Sequence, residues 1–209
     1  MAQRQEIFFD AVLCDLDGVL RHWDPGLMSG LDAEFGLPDG ALAAAAFHAD
    51  RLVPAVTGAI TDEAWREAVA VHLTPACGAP ERARALVAAW TDTPGSVDGE
   101  ALALLTRARR QVPVVLVTNA TTRLDADLAA LGLTGAVDAV VNSAREGVAK
   151  PDPGIFLVAA ARAGVAVDRC LFVDDTLGHV TAAQRLGMTA VHHRGIADLR
   201  AALGPVVQG

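Results

Sequence analysis

The stretch AVLCDLDGVL, residues 11–20, places two aspartates directly after a short apolar run. A run of this length fits a buried β-strand, and α/β sheets bind their ligands at the carboxyl ends of strands. Asp15 and Asp17 are two residues apart, so in an extended chain their carboxylates point to the same side and repel each other unless a cation or a shared proton compensates. The stretch therefore predicts a strand that ends in a metal site.

The rest of the chain supplies further apolar, β-branched runs with helical patterns between the later ones. Strands are predicted at residues 11–15, 113–118, 136–141, 169–174 and 189–192. Alternation of strands and helices implies parallel strands joined by right-handed crossovers. The predicted fold class is α/β, with a doubly wound parallel sheet.

One long segment, residues 22–98, shows helical patterns but no convincing strand, and is interpreted as an insertion. Within it, Thr61 is predicted to cap a helix, and a second helix is predicted near residues 80–90. An insertion directly after the first strand would lie above the carboxyl end of that strand, where a lid belongs. The expected organisation is a core of residues 1–21 and 99–209 with a small helical cap of residues 22–98.

Composition limits the kinds of partner. The chain has 209 residues, 52% of them hydrophobic, with a formal net charge of -8 and a pI near 5.1. Binding to nucleic acid or to an anionic membrane draws on clustered Lys and Arg, so neither is expected. The expected partner is a small molecule, and an anionic one can bind if a metal or a few placed cations reverse the local charge.

The three cysteines bear on the expected compartment. Cys14, Cys77 and Cys170 are far apart and form no CxxC pair, so they are interpreted as small apolar core residues in a reducing cytoplasm. Glu6 and Asp10 interrupt the first apolar stretch, which argues against a signal peptide. No run of 18 uncharged apolar residues predicts a membrane span.

Polar residues recur where the later strands are predicted to end. Thr118 and Asn119 follow one apolar run, Asp174 and Asp175 end another, and Lys150 precedes a predicted helix start. If the strands are parallel neighbours, their carboxyl ends bring these side chains into one cleft with the first two aspartates.

This combination of groups suits phosphoryl transfer. Carboxylates favour a hard, oxygen-preferring cation such as Mg²⁺, which also bridges to substrate phosphate. A free carboxylate can attack phosphorus to form an acyl phosphate, and a second one can act first as acid and then as base.

These motifs resemble, in order and spacing, the four motifs of the haloacid dehalogenase-like (HAD) hydrolase superfamily across residues 11–192. The insertion resembles the helical cap of a subgroup that includes small sugar-phosphate phosphatases and the N-terminal phosphatase domain of soluble epoxide hydrolases. The resemblance implies a Rossmann-like core and a Mg²⁺-dependent phosphatase. Its implied substrate is a small phosphorylated metabolite such as a sugar phosphate.

The resemblance also implies roles for the acidic residues. Asp15 would be the nucleophile and Asp17 the general acid/base. Asp15, the backbone carbonyl of Asp17 and Asp175 would bind Mg²⁺, with Asp174 as a further candidate ligand.

The remaining motif residues would handle the phosphoryl group. Thr118 and the backbone of Asn119 would hold it, and Lys150 would neutralise charge on the nucleophile and the phosphate. The chain departs from the pattern at His179, where related motifs often carry Asn or Asp.

Several alternatives stay open. A phosphomutase of the same superfamily would return the phosphate to its product, and a non-catalytic phospho-ligand sensor would keep the fold without turnover. Dehalogenation is disfavoured because a departing halide needs no proton donor, whereas a departing alkoxide needs one such as Asp17. The chain is expected to be a monomer or a homodimer.

Overall fold

The computed structural model describes residues 9–207. The strands of the structure are β1 (Ala11–Cys14), β2 (Arg21–His22), β3 (Ser96–Val97), β4 (Val114–Thr118), β5 (Ala139–Asn142), β6 (Cys170–Asp174) and β7 (Thr189–His192). The main sheet has five of them in the order β5-β4-β1-β6-β7, and every neighbouring pair is parallel. The predicted α/β class with a doubly wound parallel sheet is confirmed.

Helices cover both faces of this sheet and form the inserted segment. They are α1 (Leu27–Glu34), α2 (Ala41–Ala46), α3 (Ala49–Val56), α4 (Asp62–Cys77), α5 (Pro80–Thr91), α6 (Gly99–Ala108), α7 (Leu124–Ala130), α8 (Ser143–Glu146), α9 (Pro153–Ala163), α10 (Leu177–Arg185) and α11 (Ile196–Val207), with a 3₁₀ turn at Val167–Arg169. None of these helices is long and apolar enough to cross a membrane.

The central strand β1 is buried on both faces, as parallel sheets require. Val12 and Cys14 pack on the side of α6, α7 and α11, whereas Ala11 and Leu13 pack on the side of α9 and α10. The pattern explains why residues 11–14 are continuously apolar rather than alternating. The order of the strands places the end of β1 between the ends of β4 and β6.

The helices α1 to α5 build a separate apolar core. Trp65, Val69 and Leu73 lie on the buried face of α4, and α4 packs along α5. The side chain of Thr61 accepts a hydrogen bond from the Ala64 amide at 3.2 Å, so the predicted cap of α4 is confirmed. All three cysteines are free and buried.

Two short strands connect this helical module to the sheet, and the sequence predicted neither. β2 and β3 pair antiparallel, with Arg21 opposite Val97 and His22 opposite Ser96. The chain leaves the sheet and returns to it at neighbouring points, so the two connections run side by side and their backbone groups pair. Two residues are too few for a periodic pattern. The expected outer bounds of the core, residues 1 and 209, lie outside the described residues, and the division at residues 22–98 stays a prediction.

The connection that returns from the helical module to the sheet ends at Asp98, which caps the first turn of α6. The contribution of this cap to the stability of the protein can be measured. The Asp98 side chain accepts hydrogen bonds from the Glu100 and Ala101 amides, both at 2.9 Å, at the start of α6. These backbone bonds, the one to Ala101 first, hold the pKa of Asp98 below its usual value. Asp98→Ala is expected to lower the free energy of unfolding by about 1 kcal/mol at neutral pH. Urea denaturation followed by circular dichroism measures this change.

Asp98→Asn is the matched control, since Asn keeps an acceptor at the cap but has no charge to lose. A carboxyl with a folded pKa below its unfolded pKa of about 3.9 stabilises the fold above that value and loses this contribution as pH falls through the folded pKa. The two variants should therefore differ at pH 7, and the advantage of the wild type over Asp98→Asn should shrink in acid. Equal losses for Ala and Asn at pH 7 would contradict the capping role.

Candidate active site

Asp15 follows the last residue of β1 and remains attached to the sheet. Its backbone amide donates to the Val173 carbonyl at 2.9 Å, and the residue is buried. One carboxylate oxygen, Oδ1, accepts from the Leu16 amide at 2.7 Å and lies 2.7 Å from the Lys150 ammonium. Among residues 9–207, the other oxygen, Oδ2, accepts no hydrogen bond from protein. Asp15 therefore has one fixed oxygen and one that is available to a ligand.

Lys150 bridges two carboxylates. Its Nζ lies 2.7 Å from Asp15 Oδ1 and 2.7 Å from Asp174 Oδ2, and the side chain is almost fully buried. The Asn119 side chain fixes the backbone of Lys150: its Oδ1 accepts from the Lys150 amide and its Nδ2 donates to the Lys150 carbonyl, both at 2.8 Å. Sequence reasoning assigned only the backbone of Asn119 a role, and it missed this anchoring side chain.

The electrostatics of the buried groups follow from this geometry. Burial raises the pKa of Asp15 to about 7, with a further contribution from Asp174, while Lys150 opposes the shift. Burial disfavours the charged form of Lys150, but Asp15 and Asp174 outweigh it, so the pKa of Lys150 is raised and the ammonium stays charged. A cation near Asp15 would favour its ionised, nucleophilic form.

Asp174 ends β6 beneath the cleft, with no exposed surface. Its Oδ1 accepts from the Thr176 amide at 2.8 Å, and its two oxygens lie 3.0 and 3.1 Å from His179 Nδ1. Burial opposes its ionisation, yet the hydrogen bond to His179 and the charge of Lys150 hold the pKa of Asp174 below its usual value. Both carboxylate oxygens are therefore already engaged by protein donors.

Asp175, the next residue, is exposed and lines the cleft. Its Oδ1 accepts from the Thr176 hydroxyl at 3.2 Å. Gly18, which follows Asp17, has a φ of +79°, and a Cβ built there would lie 2.0 Å from Asp175 Oδ2. Only glycine suits both this conformation and this close approach. The loop after β1 and the loop after β6 are thus in direct contact.

These residues fit a magnesium ion. The carboxylates of Asp15 and Asp175 and the backbone carbonyl of Asp17 are the hard oxygen donors that Mg²⁺ prefers. Potential ligand atoms of Asp15, Asp174 and His179 also lie within 4.8 Å of one another. However, Lys150 and His179 already occupy the oxygens of Asp174, so a second cation there would compete with the ammonium. The available oxygens favour Asp175 over Asp174 as a ligand.

Asp17 is held by two residues that the sequence did not single out. Arg21 binds its carboxylate with both Nε and Nη2, at 2.6 and 2.9 Å, and Trp23 Nε1 donates to Oδ1 at 2.7 Å. Arg21 is buried and also lies 3.5 Å from Asp127 Oδ2, with its guanidinium 4.5 Å from the centre of the Trp23 ring. The position of Asp17 therefore depends on the connection to the helical module.

The predicted site residues do come together at the carboxyl edge of the sheet. A cleft of about 450 Å³ is lined by six of them: Asp15, Asp17, Thr118, Asn119, Lys150 and Asp175. The seventh, Asp174, lies one layer below and contacts Lys150. His179 also lines the cleft, beside Trp23 and His22.

Residues 9–187 match the family model of the haloacid dehalogenase-like hydrolases. The chain belongs to this family of hydrolases. A curated relative, the chloroplastic protein SUPPRESSOR OF QUENCHING 1 of Arabidopsis thaliana, is 36% identical over 94 residues, which is 44% of this chain and 9% of that protein. The chain thus matches less than a tenth of the length of this relative.

Solved structures share the fold. A HAD family enzyme of Bacteroides thetaiotaomicron, in complex with magnesium and inorganic phosphate, has a TM-score of 0.68 at 20% identity, covering 87% of this chain and 92% of that one. A predicted HAD-like hydrolase of Porphyromonas gingivalis has a TM-score of 0.66 at 21% identity, over 88% and 90% of the two chains. L-2-haloacid dehalogenase of Xanthobacter autotrophicus, with chloropropionic acid covalently bound, has a TM-score of 0.63 at 22% identity, over 87% and 76%.

Proposed function

We propose that this hydrolase is a Mg²⁺-dependent phosphatase that removes phosphate from a small phosphorylated metabolite through an aspartyl-phosphate intermediate. One observation carries the proposal: Asp15, with an open carboxylate oxygen and the Lys150 ammonium 2.7 Å from the other, lines the same cleft as Asp17. A nucleophile, a fixed cation and a proton donor are the groups that phosphoryl transfer requires.

In the first step, an oxygen of Asp15 attacks phosphorus and the bond from phosphorus to the alcohol oxygen breaks. Asp17 gives its proton to that departing oxygen, so the product leaves as a neutral alcohol. Asp17 then takes a proton from water, which attacks the aspartyl phosphate and releases inorganic phosphate. Asp15 is regenerated as a carboxylate and Asp17 as an acid.

The other residues support these steps electrostatically. Thr118 and the backbone of Asn119 would hold the phosphoryl oxygens, and Lys150 would balance their charge. Asp15, Asp175 and the backbone carbonyl of Asp17 would hold Mg²⁺, which supplies charge neutralisation for the phosphoryl group when bound. We assign Asp174 to the positioning of Lys150, since both of its oxygens are engaged.

Other activities of the superfamily are separated by what they release. A mutase returns phosphate to its product, a sensor releases none, and a dehalogenase, such as the Xanthobacter autotrophicus neighbour, releases halide. Asp17 favours the phosphatase, because an alkoxide needs a proton on departure and a halide does not. A cytoplasmic location and a monomeric or dimeric state stay predictions.

The test is multiple-turnover release of inorganic phosphate from p-nitrophenyl phosphate and from a panel of phosphorylated sugars, nucleotides and short acids. Release is expected with Mg²⁺, without a bisphosphate activator, and is expected to stop in excess EDTA and resume when Mg²⁺ is restored. Chloride release from 2-chloropropionate, measured in parallel, is expected to be absent. Chloride release without phosphate release would replace the phosphatase by a dehalogenase, and no release of either would favour the sensor.

A further inference from the structure

A second, larger cavity of about 510 Å³ lies between the helical module and the sheet. Asp17, Trp23 and Asn119 line both this cavity and the cleft that contains Asp15, so the two spaces adjoin. Its volume falls within the range of about 300–1,000 Å³ that is typical of small-molecule sites. The cavity is therefore placed to receive the part of a substrate that extends away from the phosphate.

Aromatic side chains are concentrated on the walls of this cavity. The chain contains six Phe, three Trp and no Tyr, yet Phe47 and all three Trp line this one space. Trp90 stands edge-on to Trp65 at 5.4 Å and to Phe47 at 6.1 Å between ring centres. Trp23 and Phe47 are 41% and 52% exposed, so their rings add accessible apolar surface to the walls of this cavity. Leu27, Met28, Leu52 and Val56 complete the apolar wall.

Each of the three arginines on the walls lies close to a carboxylate of the same walls. Arg66 Nε lies 2.6 Å from Asp62 Oδ2, and Arg123 Nε lies 2.8 Å from Asp127 Oδ1. Arg21 is bound to Asp17 as described above. Among the described residues, each arginine that lines the cavity has an acidic partner, and Asp24 adds a fourth carboxylate to the walls. The walls therefore carry no excess positive charge that would select a second acidic group on the substrate.

Two of the four hydroxyl groups that line the cavity already donate to protein acceptors. The Thr121 hydroxyl donates to Asp62 Oδ1 at 2.6 Å, and the Thr91 hydroxyl donates to the Val87 carbonyl at 2.9 Å. Ser29 and Thr93 remain as lining hydroxyls. A sugar brings a hydroxyl on almost every carbon, and burying these without partners is unfavourable. The walls therefore suit a carbon skeleton that carries few polar groups.

We propose that the substrate is a phosphate monoester of an uncharged, largely apolar alcohol, with an aromatic ring or a chain of similar size seated against Phe47 and the three tryptophans. This inference rests on the proposed phosphatase function and narrows its substrate class. It replaces the expectation of a sugar phosphate with an ester whose alcohol is bound mainly through apolar contact.

The first test compares two esters of primary alcohols, so that the leaving groups differ little in basicity. With Mg²⁺ present, kcat/KM for phosphate release from 2-phenylethyl phosphate is expected to exceed that from glucose 6-phosphate by about tenfold or more, since burial of a phenyl group supplies at least that factor. An equal or reversed preference, with turnover intact, would overturn the apolar assignment and leave the phosphatase proposal standing.

A pair of variants locates the effect. Phe47→Ala is expected to lower kcat/KM for 2-phenylethyl phosphate by about tenfold, and by a larger factor than that for glucose 6-phosphate. Val53→Ala is the matched control, because Val53 is 53% exposed on α3 of the same module and lines neither cavity. Urea denaturation of both variants shows whether the module remains folded. Equal effects of the two substitutions on the aromatic ester would contradict the assignment.

A binding measurement keeps the inference testable if no ester is hydrolysed. In 3-phenylpropylphosphonate, a CH₂ group replaces the bridging oxygen, so the compound cannot be hydrolysed. Because all three tryptophans line the cavity, their fluorescence, excited at 295 nm to avoid the phenyl ring, should respond to this ligand. Its affinity is expected to exceed that of methylphosphonate by about tenfold or more, and to lose that advantage in Phe47→Ala. Equal affinities would overturn the apolar assignment, whatever the catalytic activity.

Discussion

Asp15→Asn is expected to abolish phosphate release, lowering kcat by on the order of 10⁴-fold or more, because a neutral amide cannot attack phosphorus to form the acyl phosphate. The substitution keeps the shape of the side chain. Steady-state release from p-nitrophenyl phosphate, with Mg²⁺ at saturation, measures the loss. Turnover close to that of the wild type would refute the nucleophilic role of Asp15.

The fold should survive this substitution. Burial raises the pKa of Asp15, so the folded state disfavours its ionised form, and above the unfolded pKa of about 3.9 the carboxylate lowers stability rather than adding to it. Lys150 keeps Asp174 as an ionic partner at 2.7 Å. We therefore expect the free energy of unfolding of Asp15→Asn at pH 8 to equal or exceed that of the wild type, as measured by urea denaturation.

Two further variants sharpen the result. Asp15→Ala cannot revert by deamidation, so it identifies any residual activity that arises from Asn converting back to Asp. Asp10→Asn alters an exposed ion pair with Arg169 outside the cleft, and it is expected to retain full turnover.

The position of the site was predictable because it follows from strand ends. Asp15, Thr118 and Asp174 each follow or end an apolar run of four or five residues, and parallel strands put their carboxyl ends at one edge of a sheet. No long-range information was needed to bring these residues together. The order of the strands, with β1 between β4 and β6, is what makes Asp15 the central member.

The contacts that Arg21 and Trp23 make with Asp17 could not be predicted in this way. Arg21 and Trp23 follow Asp17 by four and six residues, but the intervening segment is a turn rather than a helix, so their spacing does not fix where the side chains point. The direction of the two side chains depends on the positive φ of Gly18 and on the pairing of β2 with β3. The strand β3 lies about 75 residues further along the chain than β2. A local pattern carries no signal for such a contact.

The two adjacent aspartates at the end of β6 show a second limit. Successive side chains of an extended segment point to opposite sides, so Asp174 and Asp175 cannot both face the cleft in the same way. The alternation of side chains alone does not say which one does, although the resemblance to the hydrolase motifs favoured Asp175. In the structure, Asp175 lines the cleft and Asp174 is directed to Lys150 and His179, an arrangement set by the packing of α10 against the sheet.

Asp17→Asn is expected to have the second large effect, and its size should depend on the leaving group. For an alkyl phosphate such as 2-phenylethyl phosphate, kcat/KM should fall by about 10²- to 10⁴-fold, since the alkoxide then departs without a proton. For p-nitrophenyl phosphate the fall should be much smaller, because p-nitrophenolate is stable as an anion. The parameter kcat/KM is the appropriate one, because it reports the steps through departure of the leaving group and not the later hydrolysis of the aspartyl phosphate.

This contrast separates a proton donor from a structural carboxylate. If Asp17 served only to hold Arg21 and Trp23 in place, its replacement would impair both esters to the same extent, and equal losses would contradict the acid role. Trp23→Phe removes the indole N–H that binds Asp17 at 2.7 Å while keeping an aromatic ring. It should lower kcat/KM for the alkyl ester more than for p-nitrophenyl phosphate, but by less than Asp17→Asn does. Asp125→Asn alters an exposed ion pair with Arg145, and it should leave kcat/KM unchanged for both esters. A dehalogenase would release phosphate from neither ester, so the pattern also distinguishes the two chemistries that this fold supports.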